Sequence, residues 1–173
     1  MSPAVSIALI TLLAVLLMMG GEQILSAFNE SRLRARGAIE PGGDVIGMMR
    51  WAYPGSFVAM AIEGALNGPA PPAILAGGLV LFGVAKAVKL WAIASLGPRW
   101  SYKVLVIPGA PLVQSGPYKF VSHPNYLAVA GEMAAVAATV WAPITGTLAI
   151  ILFGWLMTQR IRIEDRALGR NPR

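Results

Sequence analysis

The chain has 173 residues, of which 56% are hydrophobic and 13% are charged, with a formal net charge of +6. A soluble domain carries about a quarter charged residues, so this composition excludes a water-soluble globule and predicts an integral membrane protein. The absence of cysteine excludes disulfides, thiolate ligands and a cysteine nucleophile, and a single histidine argues against a metal site.

The first three apolar segments are each long enough to cross about 30 Å of hydrocarbon, which takes roughly 20 helical residues. They cover about residues 3–25, 45–66 and 73–96. The first segment has no basic residue ahead of it and no small-residue cleavage site, so we interpret it as a retained transmembrane helix and not as a signal peptide. We expect residues 1–95 to form the N-terminal helical part of a single membrane domain that covers residues 1–173.

Two shorter apolar segments follow a polar stretch, rich in glycine and proline, at residues 97–122. They cover about residues 126–140 and 144–159, with Trp141-Ala142-Pro143 between them. As a helix each would be roughly 24 Å long, so we expect a tight helical hairpin that is short for a full crossing. The predicted fold is an all-α membrane protein of about five transmembrane helices, with its functional core in residues 96–173.

The basic residues indicate which helix ends face the cytoplasm. The N-terminus and the loops at residues 67–72 and 141–143 carry no lysine or arginine. By the positive-inside rule this predicts an outside N-terminus and a cytoplasmic C-terminus, and it favours anionic lipid headgroups over nucleic acid as the partner of the positive charge. We expect Lys86 and Lys89, near the inner end of the third helix, to extend to the interface. The other basic residues behind this assignment are Arg32, Arg34, Arg36, Arg50, Arg99, Lys103, Lys119, Arg160, Arg162, Arg166, Arg170 and Arg173.

His123 stands directly before Pro124, where the fourth helix is expected to begin. A residue before proline is driven out of the helical region, whereas proline itself suits the first turn of a helix. The free N–H groups and positive dipole end of that helix can receive a carboxylate or another acceptor. On the fifth helix, Arg160 and Glu164 are four residues apart and share a face. Because the last two helices form a hairpin, we expect these groups and Tyr126 to converge, although each alone would be a helix cap, an interfacial ion pair or an aromatic-belt residue.

Three acids, Glu22, Glu63 and Glu132, lie in or at the ends of apolar helices. A charge there is costly, so a functional role is the first hypothesis for each. We expect the Glu132 side chain within the bundle, Glu22 near the cytoplasmic end of the first helix, and Glu63 solvated near the outer interface.

These motifs resemble the isoprenylcysteine carboxyl methyltransferase family and its bacterial relatives. The resemblance covers about residues 96–168 and rests on LGPRW, PGAPLVQSGPYKFVSHPNYLAV and RIRIEDRAL. It implies an S-adenosylmethionine-dependent membrane methyltransferase that releases S-adenosylhomocysteine, with a cytoplasmic cofactor loop in a bacterial inner membrane. The stretch with Glu22 and Asn29 resembles a bacterial branch of the same family.

Position by position, the resemblance implies a cofactor site and a residue at the substrate. Arg160 matches the arginine that the family places at the substrate, and we assign Glu22 to the substrate as well. Ser122 stands where many relatives have arginine, and the loop between Trp100 and Ala110 differs from that of the prenylcysteine enzymes, so substrate identity does not carry over. The residues expected at the cofactor are Ala110 and Pro111, through their backbone, and Leu112, Val113, Tyr118, His123, Pro124, Asn125, Tyr126 and Glu164.

The expected reaction is an in-line methyl transfer, for which a protein aligns the reacting groups and excludes water. A lipophilic acceptor would enter sideways from the bilayer, and the favoured acceptor is a carboxylate or phenolic oxygen of a prenylated or alkyl lipid. A carboxylate needs no base, and Arg160 would position it. A phenol or an amine must lose a proton, and His123 or Glu132 would then be the catalytic base. The sequence leaves this choice open.

Three other functions remain open at this point. Phospholipid N-methyltransferases share the C-terminal core of the resemblance. A sterol-reductase-like enzyme has a related His-x-Asn-Tyr segment and would bind NADPH. A non-catalytic membrane scaffold would use the same motifs only as turns, whereas a transporter has little support because no internal repeat is visible.

Overall fold

A computed structural model describes residues 1–169, which form five α-helices joined by loops and two short 3-10 turns. Those residues contain no β-strand, only an antiparallel bridge between Ile39 and Val106. The prediction of an all-α chain is confirmed, while Arg170 and Arg173 lie outside the described residues. The helices are α1 (Pro3–Ala35), α2 (Ile46–Asn67), α3 (Pro72–Leu96), α4 (Pro124–Thr139) and α5 (Pro143–Ala167), and the 3-10 turns are Gly97–Arg99 and Gly116–Lys119.

Three helices of the described part are long and apolar enough to cross a membrane: α1, α3 together with the turn that follows it, and α5. The chain is therefore an integral membrane protein. α2 has 22 residues but carries Arg50 and Glu63, and α4 has only 16 residues, which is about 24 Å of helix against about 30 Å of hydrocarbon. Helix length and composition thus support three of the five expected crossings.

α4 and α5 form the expected hairpin, but its arms are unequal. α5 has 25 residues, because the polar sequence RIRIEDRA continues the helix beyond the apolar segment. At the other end of α5, the Glu63 carboxylate of α2 accepts hydrogen bonds from the backbone N–H of Ile144 at 3.0 Å and of Thr145 at 2.7 Å. The expectation that Glu63 is merely solvated is wrong, since it satisfies free N–H groups at a helix start and ties α2 to the hairpin.

Small residues let α3 and α4 approach each other closely. A Cβ atom on Gly78 of α3 would lie 2.6 Å from the hydroxyl oxygen of Thr139 and 2.9 Å from its backbone nitrogen. One on Gly131 of α4 would lie 3.2 Å from the Cβ of Ala85. Between helices in a membrane such van der Waals contact is a main source of attraction, so this pair forms a tightly packed unit.

Four charged side chains, three of them buried and Lys86 partly buried, join α1, α3 and α4, and we call Glu22, Lys86, Lys89 and Glu132 the charge cluster. Lys86 Nζ lies 2.8 Å from Oε1 of Glu22 and 2.8 Å from Oε1 of Glu132. Lys89 Nζ lies 2.6 Å from Oε2 of Glu22 and 3.2 Å from Oε2 of Glu132. Lys89 is 1% and Glu132 is 2% exposed. The expectation that both lysines extend to the interface is therefore wrong, because carboxylates inside the bundle bind them; the burial expected for Glu132 is confirmed.

Two neighbouring glycines of α3 test the α3–α4 packing. We expect Gly78→Ala to lower the unfolding temperature, because the added methyl group meets Thr139 and backbone atoms of α4, and overpacking of this kind costs about 1–3 kcal/mol. Gly77→Ala adds the same group where nothing lies within 4 Å, and alanine favours a helix, so no loss is expected. Thermal unfolding in detergent compares the two variants, and equal unfolding temperatures would show that this contact is loose.

Candidate functional site

The segment before α4 is shaped by one glycine and one proline. Gly116 has a φ of +58°, and a Cβ there would lie 2.0 Å from the hydroxyl oxygen of Ser95, so glycine is what lets this turn approach α3. His123 has φ −132° and ψ 63°, outside the helical region, and Pro124 occupies the first turn of α4. The geometry predicted from the His-Pro order is confirmed, and His123 lies at the start of α4.

His123, Tyr126 and Glu164 converge as predicted. The Tyr126 hydroxyl donates to Oε2 of Glu164 at 2.9 Å, and His123 Nδ1 lies 3.5 Å from the same oxygen. His123 Nε2 lies 3.1 Å from Oδ1 of Asp165, a residue that the sequence reasoning missed. Successive side chains diverge by about 100° around a helix, so the adjacent acids in RIRIEDRAL reach the two ring nitrogens from different sides.

Burial and charge act on His123 in opposite directions. Burial alone would lower the pKa of the imidazole, but the hydrogen bonds and negative charges of Glu164 and Asp165 outweigh burial and raise that pKa above its usual 6.5. The imidazole therefore keeps its proton to a higher pH than a free histidine does. When it is protonated, the ring donates from both nitrogens to these carboxylates and has no lone pair left for a further proton.

Arg160 is buried and bound by two loops. It donates a hydrogen bond to the backbone carbonyl of Tyr102, and its Nε lies 3.3 Å from Oδ1 of Asp44. Asp44 also accepts from the backbone N–H of Ile46 at 3.2 Å, at the start of α2. Sequence reasoning missed Asp44, because in PGGDVIG it resembles an ordinary turn residue. The guanidinium is thus held against the loop that follows α3 and the loop that precedes α2.

A small cavity of about 100 Å³ lies between the start of α4, the end of α5 and the loop after α3. The oxygen Oδ1 of Asn125 is buried and has no hydrogen-bond partner in the described part of the chain. Pro124 is buried at the start of α4 and is not part of the cavity wall. The wall contains six residues that the sequence placed at the cofactor or the substrate, namely Tyr118, His123, Asn125, Tyr126, Glu164 and Arg160.

Four of the positions expected at the cofactor are not in this wall: Ala110, Pro111, Leu112 and Val113. They lie in a largely exposed loop before the turn Gly116–Lys119. Arg99, which does line the cavity, donates from Nη1 to the Pro111 carbonyl at 2.6 Å. This hydrogen bond holds the loop near the cavity without bringing its side chains into the wall.

A second cavity, of about 530 Å³, adjoins the first. All five helices border it, α3 through Lys89, and its apolar wall includes Met49, Val129, Phe153 and Met157. Both cavities share the lining residues Lys103, Asn125, Tyr126 and Arg160. These four residues therefore form the partition between a small cavity of mixed polarity and a larger, mainly apolar one.

The intramembrane acids Glu22 and Glu132 line neither cavity. The Tyr53 hydroxyl donates to Oε2 of Glu132 at 2.7 Å, and the Tyr102 hydroxyl donates to Oε2 of Glu22 at 2.9 Å. Both tyrosines and Lys89 do line the larger cavity. The charge cluster therefore contacts the larger cavity through Lys89 itself and through the two tyrosines that bind its acids.

Comparison with known proteins gives one family and two bacterial relatives. The model of the isoprenylcysteine carboxyl methyltransferase (ICMT) family matches residues 78–170. The uncharacterized protein YpbQ of Bacillus subtilis is 33% identical over 158 residues, which cover 91% of this chain and 94% of the relative. An uncharacterized protein of Haemophilus influenzae is 25% identical over 146 residues, covering 84% of this chain and 85% of the relative. No solved structure matches the chain significantly.

Because the chain has a single histidine, its titration is directly measurable by NMR. We expect a titration midpoint above 6.5. The midpoint should fall in Glu164→Gln, which removes one of the two carboxylates beside the ring, and should stay unchanged in Glu63→Gln, where the altered side chain lies at the opposite end of α5.

The same shift in the pKa of His123 predicts how stability depends on pH. A group whose pKa is higher in the folded than in the unfolded state stabilises the fold fully below its unfolded-state pKa, and this effect is lost as the pH rises through its folded-state pKa. The unfolding temperature should therefore decline as the pH rises from about 6.5 through the folded-state pKa of His123, and the decline should be smaller in His123→Gln. A midpoint below 6.5 would show that burial outweighs the two carboxylates.

Proposed function

The chain belongs to the isoprenylcysteine carboxyl methyltransferase family, and on that premise we propose that it transfers a methyl group from S-adenosylmethionine to a lipophilic acceptor. One observation carries the proposal beyond family membership. A small cavity of mixed polarity beside His123 and Glu164 and a larger, mainly apolar cavity meet at a common partition, which includes Tyr126 and Arg160. Such an arrangement suits a polar methyl donor and a lipophilic acceptor that meet at the partition.

The residues of the small cavity would suit the hydrogen-bond donors and the positive charge of S-adenosylmethionine. When bound, this cofactor supplies a methyl group on a positively charged sulfur. The Glu164 carboxylate would accept from its amine or ribose hydroxyls, and the unpartnered Asn125 Oδ1 is a buried acceptor that lacks a donor. The ring faces of Tyr118 and Tyr126 would suit a cation. A cavity of about 100 Å³ is too small for the whole molecule, so binding requires wall residues such as Val104 and Val106 to move outward.

At the partition, the chain's own residues would align the acceptor and keep water out. Arg160 is 5% exposed and fixed by Tyr102 and Asp44, so its charge is already oriented when an acceptor arrives. A carboxylate acceptor would need no base. An acceptor that carries a proton would release it either to the neutral form of His123 or through the Tyr53 hydroxyl toward Glu132.

The distribution of basic residues along the chain supports one arrangement in the membrane. We place the N-terminus outside and the loop that contains His123 on the cytoplasmic face of a bacterial inner membrane, where S-adenosylmethionine is available. In this arrangement α2 and α4 each return the chain to the outer side, where the end of α2 contacts the turn between α4 and α5. An acceptor would then enter the larger cavity from the bilayer, with its polar end toward the partition.

Calorimetric titration of the detergent-purified protein with S-adenosylhomocysteine tests the cofactor site. We expect binding that is at least about tenfold weaker in Glu164→Gln and in His123→Ala, because each variant removes a charged partner. Glu63→Gln, which removes a carboxylate at the far end of α5, is the matched control and should bind as the parent does.

Two results would reject this assignment. One is the absence of S-adenosylhomocysteine binding to folded parent protein, with lipid added, together with tight binding of NADPH. The other is that radiolabelled methyl groups are not incorporated into any lipid extract by protein that binds the cofactor. Equal weakening in Glu63→Gln would show instead that the site variants act through stability.

A further inference from the structure

The small cavity has one wall whose two halves are anchored differently. In the first half, the Asn29 side chain of α1 donates to the Trp100 carbonyl at 2.8 Å. The second half, residues 103–106, also lines the cavity, and we call it the wall segment. It is attached to the loop between α1 and α2, residues 36–45, which we call the strap. The position of the wall segment therefore depends on the strap.

The strap is joined to the wall segment by a single β-bridge and an ion pair. Ile39 and Val106 exchange backbone hydrogen bonds at 2.8 and 3.0 Å. Beside this bridge, Lys103 Nζ lies 3.3 Å from a carboxylate oxygen of Glu40, which Arg34 near the end of α1 also binds. Ile39 is 60% exposed and Lys103 is partly exposed. Because water competes for such hydrogen bonds and screens such an ion pair, these contacts are weak.

Two glycines are placed where the strap can bend. Gly37 has a φ of +79° and Gly43 a φ of +83°, one on either side of Ile39 and Glu40. Other residues rarely adopt this backbone region, and a Cβ atom on either glycine would meet nothing within 4 Å. Asp44, directly after the second glycine, is bound at the start of α2. The middle of the strap can therefore move while its two ends stay attached to α1 and α2.

The opposite side of the small cavity is bonded more firmly. Tyr126 of α4 donates to Glu164 of α5 at 2.9 Å, which joins the two arms of the hairpin. Arg160 is buried and binds both Asp44 and the Tyr102 carbonyl. A ligand that needs more than the present volume of about 100 Å³ therefore gains room most easily where the wall segment meets the strap.

We propose that the strap holds the small cavity in a closed state, and that a ligand of cofactor size binds only after Ile39 and Glu40 have released the wall segment. The contacts of the strap then compete with the ligand, and the apparent dissociation constant is the intrinsic one divided by the open fraction. The identity of this ligand as S-adenosylmethionine rests on the proposed function. The closure itself rests on the contacts of the strap.

A reversible crosslink tests the proposal directly. The chain contains no cysteine, so a disulfide placed across the bridge has no competing thiol within the molecule. Residues that exchange both backbone hydrogen bonds have Cα atoms about 5.5 Å apart, which a disulfide can span. In nanodiscs that hold one copy each, oxidised Ile39→Cys/Val106→Cys should bind S-adenosylhomocysteine at least about tenfold more weakly than the same protein after reduction.

The control for this crosslink is the single variant Ile39→Cys, exposed to the same oxidant and reductant. It cannot form the bond across the bridge, so its affinity for S-adenosylhomocysteine should not depend on the redox treatment. Mass spectrometry verifies the disulfide in the double variant. Equal affinities of the oxidised and the reduced double variant would overturn the proposal.

The opening can also be measured without any cofactor. Val104 lines the small cavity and is 6% exposed, so Val104→Cys should react slowly with a water-soluble methanethiosulfonate reagent. Adding Glu40→Gln weakens the ion pair with Lys103 and should speed this labelling about two- to fivefold. Adding Arg36→Gln removes a charge from the same strap but not from that ion pair, and the rate should stay unchanged. Equal rates in all three proteins would contradict the proposed closure.

The two measurements distinguish a failure of this proposal from a failure of the proposed function. If the folded parent does not bind S-adenosylhomocysteine, the proposed function fails, and the labelling rates still decide whether the strap closes the cavity. If the parent binds it and neither the disulfide nor Glu40→Gln has an effect, the proposed function stands and the closure by the strap is rejected.

Discussion

The pairing of Glu22 and Glu132 with Lys86 and Lys89 is the constraint on which the rest of the structure depends. In a hydrocarbon environment an unpaired charge costs several kcal/mol, so a helix that carries one is stable only where its partner is present. Both lysines are on α3, while the acids come from α1 and α4. α3 therefore has one acceptable rotation and one acceptable depth relative to its neighbours. Apolar contacts between these helices, in contrast, would tolerate sliding, because lipid replaces a lost contact. The cluster supplies specificity of arrangement more than net stability.

The functional site is connected to this cluster through Tyr102. Its hydroxyl donates to Glu22, its backbone N–H donates to the Ser26 hydroxyl at 2.8 Å, and its carbonyl accepts from Arg160. Three atoms of one loop residue are thus fixed by α1 and α5. Arg160 in turn contacts Asp44, where α2 begins. The guanidinium at the partition consequently has a position set by buried charges in a different part of the bundle, which is the kind of support that orientation in catalysis requires.

Features set by adjacent residues or by two consecutive helices could be predicted from the sequence, and pairings between more distant elements could not. The order His123-Pro124 specified the backbone at the start of α4. Tyr126 and Glu164 are 38 residues apart, but they lie on two helices that a short turn joins into a hairpin, which brings them together. Lys86 and Lys89 were wrongly expected at the interface, because long side chains near the end of a helix often extend to it. A single charge within an apolar helix is costly in free energy, so the presence of two acids and two lysines in such helices was the signal in the sequence that they pair.

Other residues of the site left weaker signals. Asp44 and Asp165 sit in polar stretches where an acid needs no explanation, so nothing marked them before the structure placed them against Arg160 and His123. Ala110 to Val113 were expected at the cofactor only because of the family resemblance. In the structure, a hydrogen bond from Arg99 to the Pro111 carbonyl holds their loop near the small cavity. An exposed loop is the part of such a site that rearranges most easily when a ligand binds.

The two cavities differ in how far their walls fall within the region that the family model matches. Every residue that lines the small cavity, from Leu96 to Leu168, falls within the region that the family model matches, residues 78–170. Much of the wall of the larger cavity comes from α1 and α2, through residues such as Met19 and Tyr53, which precede that region. A cofactor common to many enzymes needs one conserved chemistry, whereas acceptors differ in length and charge. On the proposed function, selection for a particular acceptor would therefore act on α1 and α2. The match of the Bacillus relative covers 91% of this chain and so extends into both helices.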